Sequence, residues 1–355
     1  MRDSVLIITV KYESYFYQNI FKMKLRQKIW LRRLSKITVF STLFLIFAGA
    51  LVKSHEVGLS VPDWPTTYGE QMFAFPLSNM VGGIFYEHGH RLTATLVGFF
   101  MLVQAFWLGV SDEQPWLKKL GYIALGAVIL QGLFGGITVL FFLPPAVSII
   151  HGILAQTFFI LTIIIAYALS EERTERPETD DFPRPIHKSA LLLGGMVYIQ
   201  LILGALMRHT ASGLAIPDFP TMGGLWLPDF SETMVYNINA ILFDLDQDMV
   251  SRSQVLIHFI HRFGAVIVTA AVLYFFYRCK PMVDNNKGAL QALWLMTGIV
   301  LIQFILGALT VLTERAPYIA SFHVVNGAAL LGICTLLVLR SAPKKLTDWN
   351  RAANS

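Results

Sequence analysis

Eight stretches of roughly 20 predominantly apolar residues run through this chain, each long enough to cross the hydrocarbon core of a bilayer as a helix. They lie near 37–52, 86–110, 119–142, 147–169, 189–207, 255–277, 289–312 and 319–340. Within a bilayer the backbone finds no water to bond, so each stretch must satisfy its own N–H and C=O groups as a helix. The fold class is therefore an all-α membrane protein of eight transmembrane helices. Composition agrees: 55% of the 355 residues are hydrophobic, 14% are charged and the mean hydropathy is +0.57, which argues against ordinary soluble domains. The first stretch is short and borrows length from the basic segment before it. Near the N-terminus only residues 5–10 form an apolar core, too short for the h-region of a signal peptide, so no cleaved leader is expected.

Basic residues near span ends stay on the cytoplasmic side. With the N-terminus inside, 22 of the 28 Lys and Arg fall on cytoplasmic segments; the other six are Lys53, Arg91, Arg208, Arg252, Arg262 and Arg315. Both termini are thus expected in the cytoplasm, in a multi-pass protein of the plasma (inner) membrane. The net charge of +5 reflects that topology and calls for no nucleic acid partner. The two cysteines, Cys279 and Cys334, sit at the inner end of a span and within one, outside any CxxC or Cys/His spacing. An outer-loop disulfide is excluded, and neither structural zinc nor an iron–sulfur cluster is expected.

The chain also repeats itself. Residues 58–66, Gly-Leu-Ser-Val-Pro-Asp-Trp-Pro-Thr, recur at 213–221 as Gly-Leu-Ala-Ile-Pro-Asp-Phe-Pro-Thr, an offset of 155. His90-Arg91 recurs as His261-Arg262, Gln131 as Gln303 and His151 as His323, at offsets of 171 to 172, so the second outer loop carries about sixteen extra residues. Four spans return a chain to its starting side, so the repeat predicts two pseudo-symmetric four-helix bundles of like orientation. The divisions expected are a basic cytoplasmic segment at 1–36, an N-terminal half at 37–170, a cytoplasmic linker at 171–188, a C-terminal half at 189–340 and a cytoplasmic tail at 341–355.

His90, His151, His261 and His323 fall at the outer ends of the second, fourth, sixth and eighth spans, at equivalent places in the two halves. An ionisable group inside a span is costly and normally faces the bundle interior with a partner. Two imidazoles at matched depth can clamp the iron of a flat macrocycle, which slides between helices and leaves only its axial positions to the protein. Zinc wants more ligands than two histidines provide. The halves differ at one telling place: Glu87 precedes His90 by three residues, on the same helix face, and its counterpart before His261 is His258. A carboxylate in one half only suggests that one site does chemistry while the other carries electrons; the competing reading makes Glu87 an acceptor that orients a histidine. Arg91 and Arg262 stand either as partners of haem propionates or as interfacial span-end arginines. His55, His187 and His209 read as surface residues, and His88 points away from the His90 face. Gly132, Gly135, Gly136, Gly204 and Gly307 let helices or a macrocycle approach closely. The loops around Pro62-Asp63-Trp64-Pro65 and Pro217-Asp218-Phe219-Pro220 are expected to fold over the histidines as lids.

In this combination the chain resembles the haem A synthases, from about residue 37 to 340. The resemblance rests on Gly58-Leu-Ser-Val-Pro-Asp-Trp-Pro65, Glu87-x-x-His90-Arg91, His258-x-x-His261-Arg262 and the lone His151 and His323 that open their helices. It implies eight spans in two pseudo-symmetric halves and an oxidoreductase that converts haem O to haem A, oxidising a ring methyl group to a formyl group through hydroxylation, for use by cytochrome oxidase. It further implies that His261 and His323, with Arg262, hold a haem b iron cofactor in the second half. His90 and His151, with Arg91, flank the substrate haem O in the first, and Glu87 is the catalytic carboxylate. The implied partners are the haem O-forming enzyme and an electron donor such as quinol, and an oligomer is compatible with the layout. Many bacterial relatives carry a cysteine pair in the first outer loop; here Ser60 and Thr67 stand about where it would be, so that loop must be held otherwise. A different class also fits four paired histidines, a di-haem b membrane electron carrier. A transporter fits poorly, since the histidines lie near one face and no Pro/Gly-broken pair of spans occurs at mid-depth.

Overall fold

The computed structural model describes residues 2–175, 184–284 and 287–342. Residues 176–183 of the expected linker and the tail after residue 342 lie outside the described residues. The described chain forms helices α1 (Arg2–Ser54), α2 (Gly83–Val110), α3 (Pro115–Leu140), α4 (Pro145–Ala168), α5 (Glu171–Glu175), α6 (Arg184–His209), α7 (Glu232–Asp244), α8 (Arg252–Val283), α9 (Lys287–Leu312) and α10 (Pro317–Ser341), with no β-strand among the described residues. Eight of these are long and apolar enough to cross a membrane, and they coincide with the eight stretches read from sequence to within a few residues at most ends. The chain is a multi-pass membrane protein. Its outward faces carry Phe40, Phe99, Phe106, Ile123, Leu192 and Leu301, the pattern of a surface solvated by lipid.

Helix starts follow local chemistry. Pro115, Pro145 and Pro317 open α3, α4 and α10, where the missing N–H costs nothing and the fixed φ suits the first turn. Ser251 caps α8 in a reciprocal capping box with Gln254. Two bounds depart from expectation. The helix that carries the first span does not begin near residue 37 but runs unbroken from Arg2 through the basic segment, because Lys and Arg are good helix formers whose charged ends can reach water. The residues added to the second loop form a thirteen-residue helix, α7, whose Met234, Ile238 and Leu242 pack on Leu214, Ile216 and Val255.

Each half closes as a ring of four helices with the same neighbour order: α1, α2, α3 and α4 in one, α6, α8, α9 and α10 in the other. The rings meet through α1, α4, α6 and α10. Toward the face where α4 and α10 end, both rings are filled. Met101, Leu108, Leu117, Phe158 and Ile165 pack the first, and Val272, Phe275, Leu293, Met296 and Leu337 the second. Arg32 bonds Glu171 at 2.6 Å, and Arg340 bonds Glu172 at 2.6 Å on that face. The filling stops partway, and the space toward the loops is left open.

Between the rings α4 and α10 approach closely at Gly332, where an added Cβ would lie 3.1 Å from Cε1 of Phe159 and 3.2 Å from Cδ1 of Ile163. Gly332→Leu should therefore overpack this seam and destabilise the fold by about 1–3 kcal/mol. The expected result is a lowered thermal-shift midpoint in detergent; an unchanged midpoint would show that α4 and α10 do not meet here.

Candidate functional site

On the loop side of the packed layer the rings border a connected, partly open cavity of about 2090 Å³ that reaches into both halves. That is about twice the upper range of ordinary small-molecule sites, room for more than one flat macrocycle. His90 of α2, His151 of α4, His261 of α8 and His323 of α10 all line it. In the second half the rings of His261 and His323 stand at 76° to each other with centroids 6.4 Å apart. An axial bond of about 2 Å on each side, plus about 1 Å from nitrogen to ring centre, sets two trans imidazoles about 6 Å apart. In the first half His90 and His151 lie within electrostatic reach of each other.

Each ring rests edge-on against a glycine of a neighbouring helix. A Cβ on Gly49 of α1 would lie 2.9 Å from Cε1 of His90, and one on Gly204 of α6 would lie 3.1 Å from Cε1 of His261. Gly135 of α3 and Gly307 of α9 would meet Cε1 of His151 and His323 at 3.4 and 3.1 Å. Of the glycines expected to admit helices or a macrocycle, Gly135, Gly204 and Gly307 thus admit imidazole edges, while a Cβ on Gly136 would lie 2.5 Å from the indole of Trp64 and Gly132 lines the cavity. The side-chain amides of Gln131 and Gln303 lie 3.3 and 3.4 Å from Nε2 of His151 and His323, and that of Gln200 lies 3.1 Å from Nδ1 of His261. Leu45 stands where a first-half counterpart of Gln200 would be. Nδ1 of His90, His151 and His323 is buried without a hydrogen-bond partner. Orphaned ring nitrogens are expensive in an apolar bundle. Among the described residues no three His, Cys, Asp or Glu side chains come together as a metal cluster. The donor set fits an iron macrocycle that asks the protein for two axial imidazoles and nothing more.

The loop after α1 is held without cysteines. Glu87 accepts from the backbone N–H of Val61 at 2.8 Å through Oε2 and from Arg91 at 2.7 Å through Oε1. Arg91 also donates to the carbonyls of Val61, Asp63 and Thr66 at 2.8, 2.7 and 3.1 Å. Thr67, near an expected cysteine position, bonds Nδ1 of His88 at 3.0 Å, which accounts for His88. The second half repeats the latch with one change. Ile216 N and Arg262 Nε lie 3.2 and 3.0 Å from Nδ1 and Nε2 of His258, one of which accepts in a neutral imidazole, and Arg262 donates to the carbonyls of Ile216 and Thr221. Trp64, Pro65, Phe219 and Pro220 thereby line the cavity as the expected lids. Among the described residues Glu87 makes no hydrogen bond to a histidine ring; its oxygens are bonded to Val61 and Arg91.

The histidines read as surface residues are all at least half-buried. His55 stacks on Tyr86 at 4.2 Å with Tyr318 edge-on, His209 lines the cavity, and His187 pairs with Ser341 at the opposite face. Aromatic neighbours on other helices draw His55 in, and neither these nor Gln200 carry a repeat signature that sequence could expose.

Asp63 folds the first lid on itself. Partial burial raises its pKa, but hydrogen bonds from the Gly69 N–H, the Thr66 hydroxyl and the Tyr68 N–H outweigh that and hold it down at about 2. A carboxyl held below its unfolded value contributes stability that is complete above about pH 4 and lost as pH falls toward about 2. Acid titration of Trp64 fluorescence should show the lid loosening in that window, with the step absent in Asp63→Asn; a step at the same pH in both proteins would remove Asp63 as its cause.

The model of the COX15-CtaA family, described as a cytochrome oxidase assembly protein, matches residues 32–335. The heme A synthase of Geobacillus kaustophilus is 26% identical over 338 residues, 90% of this chain and 95% of its own length. That of Shewanella oneidensis is 26% identical over 333 residues, 88% and 96% of the two chains. The heme A synthase of Shouchella clausii matches over 223 residues at 26% identity, 61% of this chain and 73% of its own. Since the family match runs from α1 into α10 and takes in all four cavity histidines, the chain belongs to the COX15-CtaA family.

Proposed function

We propose that this chain is a haem A synthase, an oxidoreductase that converts a ring methyl group of haem O to a formyl group by way of hydroxylation, supplying haem A to a cytochrome oxidase. The observation that carries the reading is a buried carboxylate, Glu87, beside one of two otherwise matched histidine couples, with His258 in its place at the other. The names of the relatives support the same reading.

On this reading the half at 37–170 is the substrate half, where His90 and His151 flank haem O. The half at 189–340 holds haem b through His261 and His323, whose 6.4 Å separation suits a shared iron. Haem b supplies one-electron redox chemistry when bound there. Arg91 and Arg262 form the rim of each site and fix the lids, which exclude water from the reacting methyl group. A carboxylate has four lone-pair directions, so Glu87, bonded to Val61 and Arg91, keeps acceptor capacity for the cavity it lines. With these it either stabilises positive charge growing at the methyl carbon or takes up a proton during hydroxylation. The 171–188 connection, the 1–36 segment and the 341–355 tail face the cytoplasm of a cell whose plasma membrane holds the protein, and the haem sites lie toward the outer face. Haem O comes from the enzyme that forms it, and electrons come from a donor such as quinol.

Glu87→Gln keeps an acceptor for Val61 but removes the charge. It should retain the haem b optical spectrum and lose haem A formation by about a hundredfold or more in cells supplied with haem O. Loss of haem b with it would make Glu87 structural. Wild-type protein that binds haem b yet yields no haem A would favour the electron carrier. His261→Ala and His323→Ala should each abolish the haem b signal in pyridine haemochrome analysis; an unchanged spectrum would refute that ligand assignment.

A further inference from the structure

The arginines nearest the histidines in sequence are largely committed to the lids. Arg91 directs four hydrogen bonds at protein acceptors, and Arg262 directs three. Three other cations line the cavity with far fewer commitments: Lys53 at the end of α1, Arg208 at the end of α6 and Arg315 between α9 and α10. Lys53 makes no hydrogen bond to the protein among the described residues. Arg208 uses only Nη2, toward the carbonyl of Ala50 and the hydroxyl of Ser54 at 2.7 and 2.8 Å. Arg315 donates through Nη2 to Gln247 at 3.1 Å, and its Nε is buried without a partner. Among the described residues the ion pairs are Arg32–Glu171, Arg91–Glu87, Lys280–Asp284 and Arg340–Glu172, so none of the three has a counter-ion within 4.0 Å. Exposed Glu56 is felt at Lys53 but does not pair with it. Unpaired cations in a low-dielectric cavity are costly unless an anion joins them.

Their placement follows the repeat. Lys53 is four residues after Gly49, the glycine that seats His90, and Arg208 is four residues after Gly204, which seats His261. On a helix that spacing puts the basic residue on the same face, about 6 Å nearer the loops. Arg208 crosses to α1 and lies within electrostatic reach of Lys53 and His323. Arg315 has Leu143 as its first-half counterpart: the Leu143 side chain packs on Gly58, and that of Arg315 packs on Gly213, the matching glycine.

We propose that Lys53, Arg208 and Arg315 form a carboxylate-binding seam between the two rings, which takes the propionate groups of haem seated on the histidines one helical turn deeper. The inference rests on the haem reading above. It assigns the glycine-to-basic spacing of α1 and α6 two jobs on one face: the glycine seats the axial imidazole, and the basic residue holds the acidic edge of the same macrocycle. Arg315 makes the second-half site the stronger carboxylate binder.

The test compares iron protoporphyrin IX with its dimethyl ester, which lacks the carboxylates, binding to full-length protein produced in haem-depleted cells and purified in detergent. Wild type should prefer the diacid. Lys53→Gln, Arg208→Gln and Arg315→Gln should each weaken diacid binding by about tenfold and leave ester binding unchanged. Arg208 also ties α6 to α1, so the Lys53 and Arg315 variants, whose side chains hold no helix to another, keep the outcome decisive should Arg208→Gln fail to fold. Equal binding of diacid and ester by wild type, or equal weakening of both in the variants, would overturn the seam and leave the haem reading standing. Binding of neither compound by wild type would overturn the haem reading, and the seam with it.

Discussion

A bundle of apolar helices tolerates a buried imidazole only when the ring nitrogens find partners, and here four such rings line one cavity while three keep an unpartnered Nδ1. The rest of the architecture is arranged around that unmet demand. The helices pack tightly toward the face where α4 and α10 end and stop packing where the imidazole rings begin. Four glycines from four helices give the ring edges room. Loops that would otherwise expose the cavity are pinned over it by arginines that leave the same helices one residue after His90 and His261.

The two latches show how a repeat can diverge without losing its fold. A carboxylate offers four lone-pair directions, so Glu87 accepts from Val61 and Arg91 and still has capacity facing the cavity. A neutral imidazole offers one lone pair, yet Ile216 and Arg262 both direct donors at His258. One of those donors takes the single lone pair, so the second-half latch keeps no acceptor for the cavity. The first-half latch holds its loop and retains an acceptor beside His90. The same asymmetry runs the other way in charge, since Arg315 replaces Leu143 and brings a cation to the second half alone.

Much of this was legible in the chain itself. Span number and approximate bounds follow from apolar runs, because lipid leaves a backbone no alternative to the helix. The internal offsets of 155 and 171 to 172 located the matched histidines and the loop insertion. What the insertion becomes was not legible: α7 is stabilised by packing on Leu214 and Ile216, contacts made only once the loop has folded back. The carbonyl bonds of Arg91 and Arg262 were not legible either, since they depend on how the loops fold back over the span ends. His55 looked like a surface residue because its neighbours Tyr86 and Tyr318 are distant in sequence.

The sequence by itself determined the eight helices, the repeat and the identity of the histidine couples, because hydropathy and spacing are properties of a linear chain. Tertiary structure alone decided that His261 and His323 stand at a distance suited to one iron, that glycines on neighbouring helices seat the rings, and that Lys53, Arg208 and Arg315 are the cations left uncommitted. Those outcomes depend on which side chains of separate helices meet, and on which donors remain after nearer acceptors have been satisfied.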